Sequence, residues 1–149
     1  MTPINRGITG PLILMVDDNA LGLDARKLVL ENEGYRVIAK PTPEEALEAI
    51  SSQHFDLLIT DYIMPGMNGD ELIRRVRNRG IKTPAILLSG FVDPLGLHEA
   101  NTGADVVVQK SNHEINHLLR AVRTVLRAGA PARKGVTSER PSRAARKKA

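Results

Sequence analysis

The chain has 149 residues, which is enough for one domain with a buried apolar core, and it contains no cysteine. The lack of cysteine excludes disulfide bonds and thiolate metal sites and fits a reducing compartment. The net charge of +4 is unevenly distributed, because residues 128–149 carry seven basic side chains and one acidic side chain, and the rest of the chain is therefore mildly acidic.

Composition divides the chain into three parts. Residues 1–10 lack any apolar period and predict a flexible lead-in, residues 11–127 predict a folded domain, and the basic residues 128–149 predict a disordered tail. The apolar segment nearest the amino terminus, LILMV at residues 12–16, is too short for a signal-peptide core or a membrane span. We therefore expect a cytoplasmic protein.

Short apolar segments recur along the folded part, and most are continuously apolar instead of alternating. They are LILMV (12–16), YRVIA (35–39), DLLIT (56–60), PAILLS (84–89) and DVVVQ (105–109). Continuous apolar character is typical of strands that are buried on both faces of a parallel sheet. Helical patterns separate the segments, so the alternation predicts an α/β fold with right-handed crossovers.

Five helices are predicted between and after these strands. The first covers about residues 20–32, and its pattern predicts a buried face of Leu21, Ala25, Leu28 and Val29. The second begins with a Thr42 cap followed by Pro43 in the first turn. The third covers about residues 69–79 and is predicted to bury Leu72, Ile73 and Val76.

The last two helices differ in strength. Residues 93–103 contain one proline and two glycines, which predicts a short or mobile helix. The final helix is predicted to begin with a capping box from Ser111 to Glu114. Its apolar stripe comprises Ile115, Leu118, Leu119, Val122, Val125 and Leu126.

Polar side chains stand where the apolar segments end. Asp17 and Asp18 follow the first segment, Asp61 follows the third, Ser89 ends the fourth and Lys110 follows the fifth. Each has an ordinary explanation by itself, such as a helix cap, a turn or a surface charge. Since the carboxyl ends of parallel strands meet at one edge and form the usual ligand site, their joint placement favours a binding site.

Three neighbouring carboxylates repel each other unless a counter-charge lies between them. A hard divalent cation with oxygen ligands, in particular Mg²⁺, supplies that charge and can also hold a phosphoryl group. An aspartate carboxylate can act as a nucleophile toward phosphorus. Lys110 and Ser89 are then the available donors to the phosphoryl oxygens, and the Pro-Gly turn at residues 65–69 leaves Asp61 open to a donor.

The motifs LILMVDDN, LLITDYIMPGMNGDEL, AILLSG and GAD, followed by Lys110, look like the signature set of the receiver domain of bacterial two-component response regulators. The resemblance covers about residues 11–127. It implies a doubly wound, flavodoxin-like sheet of five parallel strands in the order 2-1-3-4-5, with helices on both faces.

The same resemblance implies the roles of the site residues. Asp61 would accept a phosphoryl group from a histidine kinase or a phosphotransfer protein, and Ser89 and Lys110 would hold it. The implied ligands of Mg²⁺ (or Mn²⁺) are Asp17, Asp18, Asp61 and the backbone carbonyl of Ile63.

Two positions depart from the family pattern. Receivers usually have a proline after the lysine, where this chain has Ser111, and an aromatic residue three positions before it, where this chain has Val107. The usual aromatic part of the conformational switch is therefore missing. The resemblance also places the bulky side chains of Ile63 and Phe91 beside the phosphoryl group, and we expect them to impede the water that would hydrolyse it.

Other functions have less support in the sequence. HEINH at residues 113–117 matches the zinc-protease pattern HExxH, but the helical period points both histidines toward solvent, and the one later acid is Glu139 in the tail. His54 and His98 are expected to be surface residues without partners. An aspartate-dependent phosphatase would need a second acid where the chain has Ile63.

The basic tail could attract nucleic acid or an acidic partner by counterion release. It has no aromatic side chain to stack on bases, and it is too short for a helix-turn-helix domain. We therefore expect a stand-alone receiver, not an enzyme beyond its own Mg²⁺-dependent phosphorylation and dephosphorylation. Its expected partners are the phosphodonor and a downstream protein target, and a homodimer is a further possibility.

Overall fold

The computed structural model describes residues 10–90, 99–111 and 113–129, in which strands and helices alternate. The strands are β1 (Leu12–Val16), β2 (Arg36–Lys40), β3 (Leu57–Asp61), β4 (Ala85–Ser89) and β5 (Val106–Gln109). The helices are α1 (Ala20–Asn32), α2 (Pro43–Ser52), α3 (Gly69–Asn78), α4 (Glu99–Thr102) and α5 (Glu114–Gly129). Of the helices described, none has the length and apolar character needed to span a membrane.

The five strands form one parallel sheet in the order β2-β1-β3-β4-β5, which confirms the predicted fold class. β1 and β3 are neighbours, and Val16 at the end of β1 pairs with Thr60 of β3. On the other side of β3, Asp61 pairs with Leu88, and Ser89 of β4 pairs with Gln109 of β5. The register therefore brings the carboxyl ends of four strands to one edge.

Aspartates at the other edge of the sheet hold this register. The backbone N–H of Asp56 donates to the Leu12 carbonyl and the Leu12 N–H donates to the Asp56 carboxylate, both at 2.8 Å. Asp105 makes the same reciprocal pair with Ala85, again with two contacts of 2.8 Å. β3 is thus bonded to β1, and β5 to β4, at the residues where these strands begin.

The sheet separates two apolar layers, because successive strand residues point to opposite faces. On one face, Leu14 and Leu58 pack with the buried residues of α2 and α3. On the other face, Ile13 and Ile59 pack with those of α1 and α5. Each fully buried side chain of this size contributes roughly 1.5–3 kcal/mol to folding. The central strands β1, β3 and β4 are buried on both faces as predicted, whereas the outer strands β2 and β5 are only partly buried.

The buried face of α1 differs from the predicted one. Leu21 and Leu28 are 83% and 58% exposed, whereas Leu23, Arg26 and Leu30 face the core. Two stripes of similar apolar character run along this helix, and the charge of Arg26 makes the inner stripe look like a surface in the sequence. The prediction of Leu21, Ala25 and Leu28 as core residues was wrong, because Arg26 finds acidic partners inside.

The helix starts agree with the sequence in part. Thr42 accepts a hydrogen bond from the Glu45 N–H at 3.1 Å, and Leu72, Ile73 and Val76 of α3 are fully buried, as predicted. The capping box at Ser111 does not form as expected, because its side chain accepts from the N–H of His113. The apolar stripe of α5 packs on the sheet, although Ile115 remains 37% exposed.

The predicted weak helix corresponds to the four-residue α4. Gly103 follows it with a φ of 79°, a left-handed conformation that glycine adopts without strain. Residues 93–98 of the predicted segment lie outside the described part of the chain.

Candidate functional site

Three carboxylates meet at the carboxyl edge of the sheet. Asp17 directly follows Val16, Asp61 directly follows Thr60, and these two preceding residues are paired between β1 and β3. Carboxylate oxygens of Asp17, Asp18 and Asp61 all lie within 4.8 Å of one another. Asp17 and Asp61 are buried and Asp18 is exposed, so the cluster opens to solvent on one side.

Lys110 brings a positive charge to this cluster. Its ammonium forms an ion pair with Oδ1 of Asp61. Its backbone N–H donates to the Ser89 carbonyl at 2.9 Å, which ties the residue after β5 to the end of β4. Ser89 is 2% exposed, so its backbone and side chain lie in the interior beside Lys110 and not on an open surface.

The electrostatics of Asp61 reflect burial among like charges. Burial raises the pKa of its carboxyl group above the ordinary value, and Asp17 raises it further, while Lys110 and Arg26 act in the opposite direction. The buried Oδ1 accepts no conventional hydrogen bond within the described residues, and the Lys110 ammonium compensates its charge. The cluster therefore has more negative charge than its cationic neighbours offset.

This donor set suits a hard divalent cation. Mg²⁺ prefers carboxylate, carbonyl and water oxygens, and the cluster provides three carboxylates whose oxygens lie within 4.8 Å of one another. The residues present thus fit such an ion both by ligand type and by charge.

Arg26 is a component of the site that sequence reasoning missed. Its Nη1 donates to Oδ2 of Asp17 at 2.7 Å, and its Nε donates to Oε2 of Glu114 at 2.5 Å. The other oxygen of Asp17 accepts from the Asn19 N–H at 2.9 Å, so both oxygens of this acid are held. A signal was present in the sequence, since Arg26 shares a helical face with Leu23 and Leu30.

The turn after β3 explains why glycines follow the acid. The N–H of Gly69 donates to the Tyr62 carbonyl at 2.7 Å and closes the turn. A Cβ at Gly69 would lie 2.2 Å from the Asp61 carbonyl oxygen, so a residue without a side chain is required there. Gly66 has a φ of 83°, and the buried Met64 and Met67 anchor the loop. Asp61 is thereby held on a tight turn.

Two other positions named from the sequence, Ile63 and Val107, belong to the described residues. Ile63 is 50% exposed, two residues after Asp61. Val107 is partly buried against the apolar layer that contains Leu14 and Leu58. Phe91, the other residue expected to flank a phosphoryl group, lies outside the described residues.

The histidines do not form a site with Glu114. His113 and His117 are exposed with ring centroids 6.1 Å apart, as the helical period predicted, and the Glu114 carboxylate is bound by Arg26. His54 is exposed as expected, but the prediction that it has no partner was wrong, because its Nε2 lies 3.3 Å from Oδ1 of Asp56. His98 lies outside the described residues.

Comparisons with known proteins agree with this geometry. The family model for the "Response regulator receiver domain" matches residues 13–123. An uncharacterized transcriptional regulatory protein, YkoG of Bacillus subtilis, is 35% identical over 116 residues, which is 77% of this chain and 50% of YkoG. This chain therefore spans about half the length of that curated relative.

Solved structures give the same result. The receiver domain of the Francisella response regulator 1452 is 26% identical with a TM-score of 0.74, over 81% of this chain and all (100%) of that one. The response regulator TrrA of Thermotoga maritima, solved in complex with Mg²⁺-BeF, is 31% identical with a TM-score of 0.69, over 77% of this chain and 98% of that one.

Proposed function

Because this chain belongs to the response regulator receiver domain family, we propose that it is a phosphoryl-accepting switch with Asp61 as the acceptor. The observation that supports this role is the cluster of Asp17, Asp18 and Asp61 at the sheet edge, with Lys110 paired to Asp61. A structural ion pair would not need three acids around one lysine, whereas phosphoryl transfer needs a nucleophile, a counter-charge and a donor together.

In the proposed reaction, a carboxylate oxygen of Asp61 attacks the phosphorus atom of a phosphohistidine. An O–P bond forms, the N–P bond breaks, and the imidazole of the donor leaves. Asp61 must be ionised to attack, and burial raises its pKa, so Lys110 helps to keep the carboxylate charged. The Lys110 ammonium and the Ser89 hydroxyl are the proposed donors to the phosphoryl oxygens.

The proposed ligands of Mg²⁺, or of Mn²⁺ in its place, are the three carboxylates and the backbone carbonyl of Ile63. When bound, the ion offsets the charge of the acids and of the incoming phosphoryl group. Asp17 is already oriented for this task by Arg26 and by the Asn19 N–H. Asp18 is exposed, so its carboxylate is accessible to an ion that enters from solvent.

The exposed stripe of α1 supports docking of a protein phosphodonor. This helix begins two residues after Asp18, and Leu21 and Leu28 present apolar side chains to solvent on one face of it. Apolar surface next to an open acidic pocket suits a partner that covers the helix while its histidine reaches Asp61. We propose a histidine kinase or a phosphotransfer protein as that partner.

Phosphorylation adds about two negative charges to the pocket. We propose that residues 11–127 act as the receiver unit and that its output is a change in binding to a protein target. The basic residues 130–149 lie outside the described part of the chain, and a role for them in binding an acidic partner stays a prediction.

Labelling with a small phosphodonor tests the proposal. The wild-type chain, incubated with acetyl phosphate and Mg²⁺, should gain the mass of a phosphoryl group, and Asp61→Asn should not. Asp24→Asn is the control, since Asp24 is an exposed acid of α1 and its substitution makes the same charge change. Labelling of Asp61→Asn at the wild-type level, or no Mg²⁺-dependent labelling of the wild type, would refute the assignment.

A further inference from the structure

Arg26 forms a connection between the acidic pocket and the start of α5. Its guanidinium is shared between Asp17, which follows β1, and Glu114, the first residue of α5. Glu114 stands four residues after Lys110, which is paired with Asp61. The segment that leads into α5 is therefore attached to the pocket at two points, through Lys110 and through Arg26.

The arrangement is built into the fold. The side chain of Arg26 is 10% exposed and those of its partners are 3% and 15% exposed. A Cβ at Gly22 would lie 3.2 Å from Nη1 of Arg26 and 3.6 Å from Oδ2 of Asp17. The absence of a side chain at Gly22, one turn before Arg26, leaves room for the guanidinium beside Asp17.

Stability by itself explains this arrangement poorly. The cost of removing charges from water offsets much of their attraction, so buried ion pairs are often no more stabilising than apolar residues of similar size. Arg26 lies on the face of α1 that carries Leu23 and Leu30, where an apolar side chain would pack against the same layer. The single guanidinium of Arg26 is instead placed so that Asp17 and Glu114 compete for its positive charge.

We propose that Arg26 is a positioning residue that couples the occupancy of the acidic pocket to the first turn of α5. With a cation held by Asp17, the attraction between Asp17 and Arg26 would weaken, and the Arg26 guanidinium would bind Glu114 more strongly. This inference rests on the proposed Mg²⁺ site. It provides a route from the pocket to α5 that does not require an aromatic side chain at Val107.

Because such coupling is reciprocal, Glu114 must in turn affect the affinity for Mg²⁺. Without the Glu114 carboxylate, Arg26 neutralises Asp17 more completely, so Glu114→Gln should weaken Mg²⁺ binding by about fivefold, at the low end of measured couplings. The control is Glu31→Gln, which removes a surface acid of α1 paired with Lys27 and makes the same charge change. It should alter the affinity less than about twofold.

The Arg26→Met background separates coupling from long-range charge effects. In this background Glu114→Gln should change the Mg²⁺ affinity less than about twofold, because the shared guanidinium is gone. Titration of the ¹⁵N-labelled chain with MgCl₂, followed by backbone amide shifts, gives the Mg²⁺ affinity and identifies the residues that respond to binding. Wild type should show shifts at Tyr62, Ile63 and the first turn of α5, and Arg26→Met should keep those at Tyr62 and Ile63 but lose those in α5.

The outcomes separate this inference from the proposed function. An equal effect of Glu114→Gln in both backgrounds, or α5 shifts that persist in Arg26→Met, would overturn the coupling and leave the Mg²⁺ site intact. An affinity of Glu114→Gln equal to that of Glu31→Gln would overturn it as well. Absence of any Mg²⁺-dependent shift at Tyr62 and Ile63 of the wild type would overturn both.

Discussion

The substitution Gly69→Ala tests whether the turn after β3 holds Asp61 through close backbone contact. A Cβ at this position would lie 2.2 Å from the Asp61 carbonyl oxygen, 3.1 Å from its carbonyl carbon and 2.8 Å from Cδ1 of Leu87. The Leu87 side chain can rotate away, but the carbonyl belongs to the backbone. That carbonyl also accepts a hydrogen bond from the Thr60 hydroxyl at 3.0 Å.

The expected cost follows from these distances. Overpacking of a buried site costs typically 1–3 kcal/mol, and a clash with backbone belongs at the upper end of that range. Alanine recovers up to about 1 kcal/mol relative to glycine in a helix. We therefore expect Gly69→Ala to lower the free energy of unfolding by about 2–3 kcal/mol, which corresponds to a fall in melting temperature of about 10 °C.

Urea unfolding followed by circular dichroism measures this loss, and Gly80→Ala is the matched control. Gly80 has a φ of 80°, but a Cβ added to it would meet nothing within 4 Å, so alanine there meets backbone strain without a clash and should cost about 1 kcal/mol. Labelling by acetyl phosphate should also slow in Gly69→Ala, because the turn that carries Asp61 must move. If Gly69→Ala costs no more than Gly80→Ala, the close contact does not exist as described.

Three further predictions concern the charge of Asp61, the contrast between a buried and an exposed leucine, and the lifetime of the aspartyl phosphate. Without Mg²⁺, Asp61→Asn should raise the free energy of unfolding at neutral pH, because the raised pKa of Asp61 means that its ionised form disfavours the folded state. This gain should shrink as the pH falls through the folded-state pKa, and urea titrations at neutral and acidic pH that show the opposite trend would contradict it. In urea titrations, Leu72→Ala should lower the free energy of unfolding by about 3 kcal/mol, whereas Leu21→Ala, at an exposed position, should change it by less than about 0.5 kcal/mol. Leu21→Ala should nevertheless slow phosphoryl transfer from a protein phosphodonor, but not from acetyl phosphate. Small polar residues at Ile63 and Phe91 should shorten the lifetime of the aspartyl phosphate, and an unchanged decay rate would exclude their screening role.

The strands and the pocket could be predicted because both depend on local sequence and simple topology. Continuous apolar segments must be buried on both faces, which requires a covered parallel sheet. The side chains that follow such strands must then meet at one edge, and the structure brings Asp17, Asp18, Asp61 and Lys110 together there.

The inner face of α1 could not be predicted in the same way. Its hydropathy allows either stripe to be buried, and the choice depends on Arg26, whose partner Glu114 lies 88 positions later in the chain. Within its own segment Arg26 shares a face with Leu23 and Leu30, but nothing in that segment shows that the distant Glu114 offsets its charge. The capping box at Ser111 failed for the same reason, because Glu114 is bound by Arg26.

The reciprocal hydrogen bonds of Asp56 with Leu12 and of Asp105 with Ala85 affect how accurately side chains are positioned at the opposite end of the sheet. Every residue of β3 is buried, on both faces, so a slip of β3 by one position would sacrifice little hydrophobic energy. That slip would nevertheless set Thr60 or Tyr62 where the acceptor acid belongs. Asp56 and Asp105, next to the first residues of these strand pairs, therefore fix the positions of Asp61 and Lys110 at the opposite ends of the strands, although they do not contact them.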